Sequence, residues 1–316
     1  MDAATASSRI PDGSQLYLGD GGLETTMIGE RGFELPEFAS FVMLGDPAGR
    51  DALRAYYRDY IGIAREGGTG FTLDTPTWRA SPGWGEKLGY APAAIADVNR
   101  DAVELAMEIR ADEESQLTPI AVCGAIGPEG DAYQPETVLS AAEAEAYHSD
   151  QIRAFAGAGV DMVGALTLPY ADEGIGIVAA AVAEGLPVSI SFTLETDGRL
   201  PSGEGLGEAI EKVDAATSAA AAYFMVNCAH PTHFGPVLQA GGPWMERLGG
   251  IRANASRRSH AELDEMTEID SGDPEELGTE YRAFKELLPN ARVLGGCCGT
   301  DARHVASVCR HWQAAG

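Results

Sequence analysis

Asp20-Gly21-Gly22-Leu23 ends the first β-rich run of the chain, residues 16–21, and its reading decides between two α/β architectures. An open doubly wound sheet ordinarily carries a G-x-G-x-x-G turn after its first strand, because glycines there let the backbone approach a phosphate. Leu23 and Glu24 follow the glycine pair here, so that spacing is absent. Outward from this turn, further β-rich runs occupy 70–75, 120–125, 161–166, 188–193, 223–228, 250–254 and 292–297. Amphipathic stretches lie between them at 51–66, 93–110, 141–156, 173–184, 207–221 and 275–288, and a last helical stretch covers 300–312. Strands alternating with helices make parallel βα units, and eight of them predict a closed (β/α)8 TIM barrel of the α/β class. In such a barrel the functional groups sit at the C-terminal strand ends.

A length of 316 residues admits two domains, yet no Pro-, Gly- or Ser-rich linker and no internal repeat divides the chain. The expected organisation is a polar tail over 1–15 and a single barrel domain over 16–316. Hydrophobic residues make up 45% and charged residues 22%, the balance of a globular chain with an ample core. Net charge is −26, with 22 Lys and Arg against 48 Asp and Glu, so phosphate backbones and anionic lipid are repelled. Nucleic acid and membrane partners are thereby excluded. The first residues have neither a basic start nor an apolar core of the kind a signal peptide needs. The longest apolar run, 175–190, is interrupted by Glu184 and Pro187 and falls short of the roughly 18 residues that span a bilayer. A cytoplasmic location is expected, and an odd count of five cysteines agrees with a reducing compartment.

Three of those cysteines sit on two strand ends. Cys228 closes the run Tyr-Phe-Met-Val-Asn-Cys, and Cys297 and Cys298 lie inside Gly-Gly-Cys-Cys-Gly at 295–299. Adjacent residues on a regular strand face opposite sides, so one ion held by both requires an irregular backbone, and Gly295, Gly296 and Gly299 supply that freedom. Three protein ligands with a fourth position open is the pattern of a catalytic zinc site. A strained vicinal disulfide or two buried thiols are the alternatives for the pair. His230, two residues beyond Cys228, offers a rival reading: a closed Cys3His site would be structural, and the protein a binding module. Pro231 argues against a strand continuing through His230. Cys123 and Cys309 lie in apolar stretches and are expected to be structural. His148, His233, His260, His304 and His311 lack ligand spacing.

Asp-Gly-Gly-Leu at 20–23, Val-Asn-Cys at 226–228 and Gly-Gly-Cys-Cys-Gly at 295–299 together resemble the homocysteine S-methyltransferase family, over nearly the whole chain. The resemblance implies zinc (Zn²⁺) held by Cys228, Cys297 and Cys298, with the thiol of homocysteine at the open position. It further implies a small methyl donor, and the sequence contexts are closest to the branch that uses a sulfonium, S-methylmethionine or S-adenosylmethionine. Carried over onto this chain, the substrate contacts are the Asp20 carboxylate, Thr75, Asn227 and Asn254; the amides of Gly21 and Gly22 offer a carboxylate nest, with a structural turn as the alternative, and Glu24 follows on the same turn, where a helix N-terminal acid would look identical. Trp78, Trp84, Tyr170 and Phe192, at or just beyond strand ends, are candidates to cradle a sulfonium by cation–π attraction.

Two departures from the family pattern bear on the substrate. Leu166 stands where an acid is expected to grip the substrate ammonium, with Asp172 and Glu173 as the nearest replacements, and Thr75-Pro76-Thr77 replaces Thr-Asn-Thr. The pocket is therefore expected to be rebuilt, with thiolate methyl transfer retained and the identity of the thiol left open. The long stretch 255–274 is expected to cover the substrate.

Overall fold

The computed structural model describes residues 9–314, with residues 136 and 267 and the side chain of residue 264 excepted. Eight strands are present: β1 (Tyr17–Leu18), β2 (Gly70–Asp74), β3 (Ile120–Ile126), β4 (Met162–Leu168), β5 (Val188–Phe192), β6 (Tyr223–Asn227), β7 (Leu248–Ala253) and β8 (Val293–Gly296). Each pairs in parallel with its neighbour in sequence, and β1 pairs with β8 to close the barrel. The strands are buried almost throughout, as parallel strands covered on both faces must be, which is why they read as unbroken apolar runs.

Every expected helix is found: α2 (Pro47–Glu66), α4 (Pro92–Glu113), α5 (Ala141–Ala158), α6 (Ala171–Ala183), α7 (Leu206–Thr217), α10 (Pro274–Phe284) and α11 (Ala302–Gln313). Their starts are written in the sequence. Asp46 accepts from Gly49 N at the head of α2, and Ser140 and Glu143 form a reciprocal capping box at the head of α5. Four helices escape the sequence reading: α1 (Leu23–Gly29), α3 (Pro82–Lys87), α8 (Pro231–Ala240) and α9 (His260–Asp264). Of these, α8 completes the βα unit between β6 and β7. It is masked by Pro231 and Pro236; the first occupies the opening turn, where a missing N–H is harmless, and the second sits inside the helix.

One core layer lies between the sheet and the helices and contains Cys309. A smaller cluster, formed by Tyr17, Ala121, Cys123, Met162, Tyr223, Met225 and Val293, plugs the barrel near the strand starts. Residues 1–8 of the expected tail lie outside the described residues, whereas Arg9 forms a two-pronged pair with Glu114, at 2.8 and 3.0 Å. Among the described residues, no helix is long and apolar enough to cross a membrane.

Candidate functional site

With the strand starts plugged, the open end of the barrel is the rim formed by the C-terminal strand ends, where a cavity of about 490 Å³ is found. Cys228 follows β6 directly and takes a left-handed backbone conformation, φ 55°, unusual for a residue with a side chain. Two contacts hold it there: Cys228 N donates to Arg252 O at 3.0 Å, and Thr193 Oγ1 donates to Cys228 O at 3.2 Å. Cys297 and Cys298 follow the end of β8. The turn there is fixed by Cys297 N to Ala253 O at 2.9 Å and Ala255 N to Cys298 O at 3.1 Å. The three Sγ atoms lie within 4.8 Å of one another, with Cys228 and Cys298 3.4 Å apart, and all three thiols are free.

The glycines act in two ways where one was expected. Only Gly299, at φ 76°, uses the left-handed freedom. Gly295 and Gly296 are instead held by space. A Cβ on Gly295 would stand 2.9 Å from Asp20 O, and one on Gly296 would collide with Thr300 Oγ1.

Of the three thiols, Cys228 is the one biased toward ionisation. Hydrogen bonding from Cys297 and Cys298, and then from Tyr133, holds its thiol well below the usual range against the opposing effect of burial. Tyr133 Oη donates to Cys228 Sγ at 2.9 Å. Cys297, hydrogen-bonded to Cys228, is pushed up to about 12. Asn227 Nδ2 lies 3.8 Å from Cys297 Sγ and donates to Thr167 Oγ1 at 2.7 Å, while its Oδ1 accepts from Thr167 N at 2.8 Å and Ser191 Oγ at 2.6 Å. These bonds stabilise Thr167 at φ 64°, inside an irregularity of the β4–β5 register. A β-branched residue there costs of the order of 1–3 kcal/mol and persists only because its surroundings over-determine it. Asn227, expected to orient substrate, is thus fully engaged in orienting protein.

Below the sulfur atoms, the guanidinium of Arg252 bridges the carboxylates of Asp20 and Asp74. Asp20, expected as a substrate contact, lines the cavity but is 3% exposed and committed to this pair. Burial pushes its carboxyl up to about 7, with Arg252 opposing and Asp74 reinforcing the shift. Gly21 and Gly22 line the cavity, yet Gly22 N donates to Thr300 O at 3.0 Å, so the expected two-amide nest has only the Gly21 amide left. Glu24 accepts from Ser40 Oγ at 2.8 Å, and burial pushes its carboxyl up. Thr75 bonds Thr77 at 2.6 Å and accepts from Ala125 N at 3.0 Å. Asn254 borders the cavity with a buried Oδ1 that has no partner among the described residues.

Several candidates point elsewhere. His230 caps α8, its Nδ1 accepting from Thr232 N at 3.2 Å, while Nε2 lies 3.4 Å from Glu280; burial keeps the ring neutral, pushed down to about 3. A closed Cys3His site is not formed: among the described residues the three cysteines are the one cluster of metal-ligating groups. H230A therefore retains the metal content of the parent protein and loses about 0.5–2 kcal/mol of stability through the missing cap. Elemental analysis alongside urea unfolding measures both; loss of the metal would restore His230 as a ligand. Asp172 pairs with Lys212 at 2.9 Å, and Glu173 is fully buried against His148 at 3.0 Å, so neither replaces the acid missing at Leu166. Of the four aromatic candidates only Trp78 borders the cavity. Trp84 lies under the side chains of Arg79 and Lys87, Tyr170 Oη accepts from Leu139 N, and Phe192 stacks on Phe224 in the core.

The segment between β7 and α10 lines the cavity through Ser256, His260, Leu263, Met266 and Ile269, as its length led one to expect. The sequence reading overlooked Arg252, Tyr133 and Arg79. A charged residue inside an apolar strand, as in Gly-Gly-Ile-Arg-Ala, is the signal that marks Arg252, since a buried charge requires a partner. Tyr133 lies on the loop after β3, where no periodic pattern exists to mark it.

Comparison with solved structures finds the homocysteine methyltransferase MmuM from Escherichia coli. Its oxidized form has a TM-score of 0.73 at 22% identity, covering 96% of this chain and 98% of that one. The metallated form gives 0.71 at 21% identity, over 93% and 96%. At this identity the likeness establishes the fold. No curated protein sequence matches the chain significantly. The sequence profile described as homocysteine S-methyltransferase matches residues 17–312, a span that begins with β1 and runs through all eight strands into α11. The chain therefore belongs to the homocysteine S-methyltransferase family, and it is an enzyme of thiol methyl transfer.

Proposed function

We propose that this protein is a zinc-dependent S-methyltransferase, which moves a methyl group from a small sulfonium donor, S-methylmethionine or S-adenosylmethionine, to homocysteine or a related thiol. The product is methionine or the corresponding thioether. The observation that carries the reading is the trio of free thiols within 4.8 Å at the edge of a cavity large enough for small substrates. The donor set fits zinc, since three soft sulfur ligands without a fourth protein ligand among the described residues match an open catalytic site. Bound there, zinc supplies the Lewis acidity that keeps a substrate thiol deprotonated at neutral pH.

The remaining work falls to the chain. Cys228, Cys297 and Cys298 would hold the ion, with Cys228 already biased toward its thiolate by Tyr133 and its sulfur neighbours. Asp20, Gly21, Gly22, Glu24, Thr75, Asn227 and Asn254 are proposed to surround the substrates; Asn254, with an acceptor oxygen free, and Gly21 are the members with capacity for a new bond. Trp78 is the aromatic candidate that borders the cavity, and an onium group would share its ring with the guanidinium of Arg79, 4.2 Å from the ring centre. An acidic protein of charge −26 attracts a cationic donor and repels nucleic acid. Free cysteines suit a reducing compartment such as the cytoplasm.

Purified protein is expected to hold about one zinc per chain, to methylate at least one small thiol from a sulfonium donor, to lose turnover on chelation and to regain it with zinc. Elemental analysis and a panel of thiols against donors make the measurement. Full zinc loading with no turnover across the panel would overturn the reading.

A further inference from the structure

Among the described residues three arginines are buried, and two of them have carboxylate partners: Arg252 has Asp20 and Asp74, and Arg110 has Asp161 at 2.6 Å. Arg79 is the exception. It is 9% exposed, and among the described residues no carboxylate lies within ion-pairing distance of it. Its guanidinium is sandwiched between Trp84, at 3.5 Å, and Trp78, at 4.2 Å. Its single protein hydrogen bond runs from Nη1 to Gly130 O at 3.2 Å, and Nε is buried without a partner. Burial lowers its pKa to about 10, with Asp131 the strongest opposing influence, so it remains charged at neutral pH.

A buried cation is costly when, as among the described residues here, its nearest carboxylates, Asp131 foremost, act on it from beyond ion-pairing distance. The two indole rings fix the plane of the fork and leave its edge as the direction for a ligand. Arg79 borders the same cavity as the three cysteines. Trp78 also donates from Nε1 to Leu166 O at 3.2 Å, which ties the arginine platform to the wall where the acid expected from the family resemblance is missing. At the end of β4 the wall thus has the apolar side chain of Leu166, and beside it a guanidinium with donors to spare.

We infer that Arg79 is the carboxylate receptor of this cavity, the group by which the site selects a substrate for its carboxylate. The inference deepens the proposed methyl transfer and rests on it for the identity of the site. The carboxylate belongs either to the thiol acceptor or to the sulfonium donor, and the planar fork suits it in both cases.

Equilibrium binding to the zinc-loaded protein, measured by calorimetry, separates the two sources without requiring turnover. In the acceptor arm 4-mercaptobutyrate is compared with propane-1-thiol; in the donor arm 3-dimethylsulfoniopropionate is compared with trimethylsulfonium. The carboxylate-bearing member of one pair is expected to bind about tenfold tighter or more, as a charge-assisted bond provides. R79Q abolishes that preference and R79K keeps part of it, and the arm affected identifies the source. On the parent protein, butyrate competes with the preferred ligand and butyramide does not, a comparison that stands if R79Q fails to fold. No preference in either arm, or a preference unchanged in R79Q, overturns the inference. Methyl transfer without a carboxylate preference would remove Arg79 from its role and leave the proposed function intact; a preference without methyl transfer in the panel would do the reverse.

Discussion

C298A is expected to reduce bound zinc from about one ion per chain to near zero, and with it methyl transfer by at least ~10²-fold, because loss of a ligand exceeds the 10–100-fold effect of losing a supporting hydrogen bond. The geometry gives the reason. Cys298 lies 3.4 Å from Cys228, the sulfur most readily ionised, and no His, Asp or Glu among the described residues joins the cluster to replace it. C228A is expected to match it. C123A provides the control: Cys123 belongs to the plug near the strand starts, so the metal content should be unchanged and only packing affected. Elemental analysis and turnover on the same preparations decide the matter. A fully loaded C298A protein would show that the trio is not the metal centre.

R252M is expected to destabilise the protein by about 3–5 kcal/mol, the cost of removing one partner from a buried ion pair and leaving carboxylates uncompensated. Asp20 and Asp74 both depend on this guanidinium, and the Arg252 side chain is only 8% exposed. Urea unfolding of R252M and of the triple variant R252M/D20N/D74N makes the test, with the triple variant recovering most of the loss. If R252M unfolds at the parent's urea concentration, the bridge contributes nothing. The same layer gives a pH signature. Burial raises Asp20 from 3.8 to about 7 in the folded state, so between these values the native chain binds a proton that the unfolded chain does not. Stability from this group is complete below pH 3.8 and is lost as pH rises through 7; D20N should flatten that part of the profile.

The barrel was legible because each strand is buried on both faces, and an apolar run with a helix on either side has few other solutions. The cysteine trio was legible because motif and rim position agree. Other features depend on contacts that no local pattern encodes. Arg252 meets Asp74 and Asp20 across 178 and 232 residues, respectively, a meeting that follows only from the closed ring. Leu23–Gly29 and Pro231–Ala240 are helices whose sequences open on Gly-Gly and His-Pro, ordinarily signs of a turn. The displacement of Asp172 and Glu173 from the cavity is likewise a matter of direction. The first turn of α6 sends one to Lys212 and the other into the helix layer beside His148. Trp84 illustrates the limit of placing an aromatic near a strand end: proximity in sequence put it at the rim, and the cation above it is the protein's own.

Cys228 and Cys298 are separated by 70 residues and are neighbours only because β7 lies between β6 and β8. A nascent chain lacks this pocket of sulfur until its final quarter has docked, and a molecule that opens along either seam of β7 loses it again. Ion capture at the proposed site would therefore be coupled to closure of the ring, and loaded molecules would be withdrawn from the opening equilibrium by mass action. A metal held by the proposed site would also act as the latch on its last-assembled wall.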